Sequence, residues 1–174
     1  MAWTSFWKNE EATLDPIVVH REPLYLAGMS APLPPRTTSP SERPRVIQEL
    51  ARAFRAKVGE ISNRCGAERY SVIENDVWDT ENPPVIRAMV AVTAFDGLPA
   101  WCQTFVVAPG RYAVFEHKGL PKDLSKTVAD IYVKWVPRID GLFKINTEIM
   151  VYPPEYNPAD PNAVFGYWLP LAPP

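Results

Sequence analysis

Glu148, Met150 and Tyr152 stand at every second position of the run Thr147-Glu148-Ile149-Met150-Val151-Tyr152. A β-strand sends alternate side chains to opposite faces, so a strand here places all three on one face. A carboxylate set among apolar neighbours and aromatic rings suits a flat, lipophilic cation. Burying the carboxylate without a partner is costly, and a bound positive charge offsets that cost while the ring quadrupoles attract it. The ring candidates are Tyr112, Tyr152 and Trp168, for stacking and hydrogen bonding, with Trp78 and Trp101 as further walls. Met150 is an adaptable apolar contact. The same carboxylate, helped by Tyr112 or Tyr152, could instead act as a general base or hold a water. Each has a plainer explanation too: any of the rings can be core, and Glu148 can face solvent at a strand end or pair with a lysine.

Other chemistries find less support. His20 and His117 are the only histidines, and no HExxH or cysteine ligand set accompanies them, so no metal is expected. His117 is read as a structural hydrogen-bonding group at a strand end. Cys65 and Cys102 show no CxxC spacing and are expected as buried, reduced thiols. GxSxG, GxGxxG and Walker-type loops are absent, which removes the signals for a serine elbow, a dinucleotide and P-loop phosphate chemistry. No cofactor is expected.

The formal charge of −2 and the scatter of Lys and Arg provide no basic field for nucleic-acid phosphates, so direct nucleic-acid binding is not expected. The N-terminal residues lack the apolar core of a signal peptide, and no later stretch approaches the ~18 apolar residues of a membrane span. The expectation is a cytoplasmic protein with no membrane partner. Twenty prolines are about twice ordinary usage, but 47% hydrophobic residues argue against disorder. The prolines therefore mark loops and strand ends.

The elements that must hold these residues follow from periodicity. Residues 16–28 have the composition of an opening strand, and Ser30 to Pro40 that of a Pro-rich loop. Ser41 can cap a helix with Pro44 in its first turn. Ile47, Leu50, Phe54, Val58 and Ile61 recur at steps of three and four and share one helical face, and that helix stops near Cys65-Gly66. Strands are expected over Tyr70 to Asn75 and Val85 to Phe95. The order then repeats: a strand through Tyr112 to His117, a helix from about Pro121 to Val136 ended by Pro137, and strands near 147–152 and 163–169. In the second helix Leu124, Val128, Ile131 and Trp135 form the apolar face. Trp135 and Phe54 are assigned to packing. The stiff connection Pro153 to Asn162 is either a rim beside these strands or a plain exposed turn. Two copies of one strand-helix-strand-strand order predict an α+β fold made by duplication, with antiparallel sheets and two long helices. An unduplicated α+β domain with an antiparallel sheet is the alternative.

The segment Pro109-Gly110-Arg111-Tyr112-Ala113-Val114-Phe115-Glu116-His117-Lys118-Gly119 resembles the GyrI-like small-molecule-binding domain. So do Ile131-Tyr132, Trp135-Val136-Pro137, Tyr152 and the closing Tyr167-Trp168-Leu169-Pro170-Leu171. That domain also occurs as the effector-binding half of bacterial multidrug-responsive transcription regulators. The resemblance implies two repeats related by a pseudo-twofold axis, with a central ligand cleft where their sheets meet. On this reading residues 1–15 are an extension and 16–174 one domain, its repeats covering about 16–98 and 99–174. The implied ligand is a hydrophobic, cationic or multidrug-like small molecule.

Family members commonly carry a ligand-facing glutamate two residues before the tyrosine matched by Tyr152. Met150 occupies that position here, and Glu148 lies one step, about 7 Å, along the same face. Nothing on the chain resembles the regulators' helix-turn-helix, so a stand-alone binding domain is expected. Two alternatives stay open. One is a small hydrolase that detoxifies a reactive cyclopropane-bearing natural product. The other is an inhibitor that docks on a larger enzyme, as the family's namesake does on gyrase, which implies a protein partner. Haem-binding relatives of the double-repeat fold exist, but no residue pattern here favours a haem ligand.

Overall fold

The computed structural model describes residues 15–35, 41–76, 82–138 and 146–173. Among the described residues eight strands run in chain order as β1 (Ile17–Arg21), β2 (Leu24–Pro32), β3 (Arg64–Glu74), β4 (Val85–Val92), β5 (Gln103–Val107), β6 (Gly110–Lys118), β7 (Thr147–Tyr152) and β8 (Val164–Pro170). Helix α1 (Arg43–Lys57) lies between β2 and β3, and α2 (Leu124–Asp130) between β6 and β7. All strands join one antiparallel sheet of order β1-β6-β8-β7-β3-β4-β2-β5. Exchanging β1 to β4 for β5 to β8 returns the same order, which is the signature of a duplication. Lengths agree for two of the pairs: β1 and β5 have five residues each, β2 and β6 nine each.

Chain connectivity forces this sheet to curl. Residues 22–23 join β1 to β2, and residues 108–109 join β5 to β6. In the sheet order each of these pairs is separated by six strand intervals, about 29 Å if the sheet were flat. A two-residue link spans at most about 11 Å between the flanking Cα atoms. The opposite edges are therefore drawn together, and the sheet is a half-barrel carrying two helices.

The two faces bury themselves differently. On one face Leu26, Tyr70, Val72, Met89, Val107, Tyr112, Ile149, Val151 and Trp168 form a cluster contributed by strands alone. Val72 and Met89 are fully buried there, and among the described residues no helix covers them. On the other face Ile73, Ile86, Ala88, Val90, Met150, Phe165, Tyr167 and Leu169 pack with Leu50 and Phe54 of α1 and with Ile131 beyond α2.

The predicted apolar face of α1 holds: Leu50, Phe54 and Ile61 are buried, and Ile47 and Val58 pack beside them. Its boundaries differ from expectation. Glu42, not Ser41, is the N-cap and makes no side-chain cap, and the helix ends at Lys57 with a 3₁₀ turn over Val58–Glu60. Cys65 and Gly66 belong to β3 instead. The opening strand is two strands, split at Glu22-Pro23. The short strand β5, between Pro99 and Pro109, has too few residues to show a period. The predicted second helix is irregular: a 3₁₀ turn over Pro121–Asp123, seven α-helical residues, a π-helical turn over Ile131–Trp135 and a 3₁₀ turn over Val136–Arg138.

Close packing is tightest at Gly28 in β2, where a Cβ would sit 2.8 Å from Met89 Cα and also overlap the Ala88 carbonyl oxygen. Backbone cannot yield as a flexible side chain would. Gly28→Ala is expected to cost about 3 kcal/mol, near the upper end for overpacking. Urea unfolding with an unchanged midpoint would show that β2 and β4 are not packed this closely.

Candidate functional site

Helix α1 packs over β2 and β4. The α2 side is tied to β6 by His117, which is buried, with Nδ1 2.8 Å from Thr127 Oγ1 and Nε2 3.1 Å from the Leu120 carbonyl oxygen. His117 thus makes the structural hydrogen bonds expected of it. Strands β3, β7 and β8 form the floor between the two helices.

On β7, Met150 faces the helices, and the period of two puts Glu148 and Tyr152 beside it. Ile149 and Val151 face the strand-only cluster. Glu148 is 3% exposed. The phenol of Tyr167 donates a hydrogen bond to Glu148 Oε1 at 2.6 Å, entirely within the interior. Tyr167 stands opposite Met150 in the β7–β8 register. Such a bond holds the carboxylate in one orientation and offsets part of its desolvation.

At the other end of β7, Tyr152 packs against Tyr156 and Phe165 with ring centroids 4.8 Å away in each case. Tyr156 also meets Phe165 edge-on, and Phe165 reaches the His117 ring at 4.9 Å. Arg69 on β3 lies directly opposite Tyr152 in the sheet register. Its Nη2 donates to the Tyr156 carbonyl oxygen at 3.2 Å, fastening the Pro153 to Asn162 connection over the strip. Burial pushes the Tyr152 phenol up to about 12, while a hydrogen bond with Ser71 and the Arg69 charge pull it down and Tyr156 pushes it further up.

The remaining expected residues are not brought to this strip. Tyr112 and Trp168 lie on the opposite face, in the strand-only cluster, 6.2 Å apart between ring centroids. Tyr112 donates to the Ala108 carbonyl oxygen at 2.7 Å and so anchors the link between β5 and β6. Arg21 sits 4.7 Å above the Trp168 ring, and the indole folds close over Gly166, where a Cβ would lie 3.0 Å from Nε1. Trp101 packs partly buried near α1, with Nε1 donating to Glu60 Oε2 at 2.7 Å and Lys57 above its ring. Trp78 lies outside the described residues.

The physical reason for the Trp168 outcome is register. Val164-Phe165-Gly166-Tyr167-Trp168-Leu169 is apolar or aromatic throughout, so alternation cannot choose a face, and pairing with β7 turns Tyr167 and Phe165 toward Glu148 and Tyr152. Tyr156, Phe165, Tyr167 and Arg69 are the members of the strip that sequence reasoning missed. The one available signal was the period-two relation of Phe165 and Tyr167. Cys65 and Cys102 are free and half-buried. Among the described residues no three or more His, Cys, Asp or Glu side chains gather as a metal site, and no helix is long and apolar enough to cross a membrane.

The strip thus carries a buried carboxylate at one end and stacked rings at the other. Residues 14–172 match the family model of the GyrI-like small molecule binding domain, and the chain belongs to that family. The fold recurs in SAV2435 bound to tetraphenylphosphonium, with TM-score 0.68 at 13% identity, covering 90% of this chain and 93% of that one. It recurs in the EcmrR C-terminal domain, with TM-score 0.62 at 12% identity, covering 90% and 96%. A hydrolase encoded by lin2189 from Listeria innocua is similar at TM-score 0.54 and 13% identity, covering 94% of each chain. Comparison with curated proteins finds no match.

The Tyr152 environment gives a pH signature. A phenol raised from 10.0 to about 12 keeps its proton in the folded chain after the unfolded chain has lost it. Between these two values the native state holds more protons, so stability falls as pH rises from 10 to 12. Burial raises the Tyr70 phenol as well, so Tyr152→Phe is expected to lessen that decline in denaturation midpoints measured across this window, not to remove it. The same steepness in the variant would mean that Tyr152 is not the group responsible.

Proposed function

We propose that this domain binds lipophilic organic cations on the strip between the two helices, with Glu148 receiving the positive charge and Tyr152 and its ring neighbours receiving the apolar body. The observation that carries the reading is the burial of the Glu148 carboxylate on an aromatic floor. A low-dielectric carboxylate prefers a cation that brings no hydration shell of its own, and ring faces favour the same partner. Tyr167 contributes orientation, because its phenol is neutral. Membership of a small-molecule-binding family supports the reading, as does the tetraphenylphosphonium bound by SAV2435. Likeness to the EcmrR C-terminal domain supports a sensing role, in which occupancy of the site is read by a transcription regulator.

The Glu148–Tyr167 bond favours a second reading. A carboxylate held in one orientation by a phenol can polarise a water toward an electrophile, the chemistry of a small hydrolase. Likeness to the Listeria innocua hydrolase supports this one. Turnover of an electrophilic cyclopropane, lost in Glu148→Gln with substrate binding retained, is its expected result.

Tetraphenylphosphonium should quench the tryptophan fluorescence of the protein saturably. Glu148→Gln is expected to weaken it about tenfold, equivalent to ~1.4 kcal/mol, and to leave the neutral triphenylphosphine oxide unchanged. Equal losses for the two compounds would remove Glu148 from the proposed role.

A further inference from the structure

The duplication equates positions in the two halves. Matching the starts of β1 with β5, β2 with β6 and β4 with β8 aligns Val85 with Val164, and therefore Val90 with Leu169. Arg69 pairs with Val90. The β7–β8 register, continued by one residue beyond Ile149 and Trp168, sets Glu148 opposite Leu169. Arg69 in β3 is thus the counterpart of Glu148 in β7. One scaffold position carries a guanidinium in the first half and a carboxylate in the second.

Both project from the helix-bearing face. Arg69 stands opposite Tyr152, and Glu148 stands opposite Ile73, with Ser71 and Met150 paired between them. Four residues along the strand and one strand across separate the two backbones by about 14 Å. The floor between them is Met150, Ser71, Tyr152, Phe165 and Tyr167. Arg69 is half-buried and hydrogen-bonds the Tyr156 carbonyl oxygen; among the described residues no carboxylate pairs with it. A half-buried guanidinium offers five donors in a planar fork, and a neutral carbonyl uses only part of that capacity. Among the described residues the phenol oxygen of Tyr156 at the same end is buried without a hydrogen-bond partner.

We propose that the site is two-ended and selects elongated zwitterions, with the cationic end at Glu148 and an anionic end, a carboxylate or its equivalent, at Arg69 and Tyr156. This rests on the cation reading for the Glu148 end and adds an acceptor end that reading does not require. A single compact cation fills only one end. A ligand with its charges on an apolar linker of matching length fills both, and a short linker leaves Arg69 out of reach.

The test uses carboxydecyl-triphenylphosphonium, whose extended chain matches the span, its methyl ester, and the short carboxypropyl analogue with its own ester, titrated by tryptophan fluorescence or calorimetry. The long acid is expected to bind about tenfold more tightly than its ester, the value of one charge-assisted pair. The short acid should gain nothing over its ester. Arg69→Gln should abolish the advantage of the long acid and leave its ester within about twofold of wild type, a pattern that mere loosening of the Tyr156 connection would not produce. Equal binding of long acid and long ester by the wild type overturns the proposal, as does an equal loss for both in Arg69→Gln. If neither ester binds at all, the cation reading itself falls and takes this one with it.

Discussion

Two links of two residues each, Glu22-Pro23 and Ala108-Pro109, hold the architecture. They join strands that the sheet order places six intervals apart, so the sheet has no flat solution. Each link carries proline second. Proline presets the backbone angle at the corner and removes an N–H that would otherwise need a partner there. Tyr112 reinforces one of the corners by donating to the Ala108 carbonyl oxygen. Everything else in the layering follows from the curl. Among the described residues the inner face is covered by strands, and α1 and α2 lie on the other face.

Because the helices share one face, the central strands of both halves become a common floor. The pairing of β3 with β7 joins the halves and aligns Arg69 with Tyr152 and Ile73 with Glu148. Neither half by itself could bring a carboxylate, a guanidinium and four rings together. The scaffold is nearly symmetric, while its charges are not. A duplicated backbone that diverges in side chains places chemically different groups at equivalent positions. The packing problem of the sheet is solved once and used twice. Most of the floor is shared with the core, so substitutions there change stability.

Much of the fold was legible in the sequence. The α1 stripe of Ile47, Leu50 and Phe54 is a strong periodic signal, and the placement of a helix before the central strands follows from it. Period two placed Glu148, Met150 and Tyr152 on one face, since alternation in a strand is fixed by the pleat. Legibility ended where local pattern becomes uniform or short. β5 is too brief to show a period. In β8 nearly every residue is apolar or aromatic, so the faces of Tyr167 and Trp168 were not distinguishable. The irregular π-helical turn after α2 has no apolar pattern that differs from an α-helix at this length.

Composition, the apolar stripe of α1 and the alternating face of β7 were therefore determined by the sequence alone, because they depend on residues near one another in the chain. The partners of that face were decided only by tertiary structure. Tyr167 reaches Glu148 from β8, Tyr156 reaches Tyr152 from a connection, and Arg69 arrives from the other half of the chain. Each depends on strand register and on the curl imposed by two short links. Register is a property of how distant segments pair, and a one-residue slip turns every side chain to the opposite face.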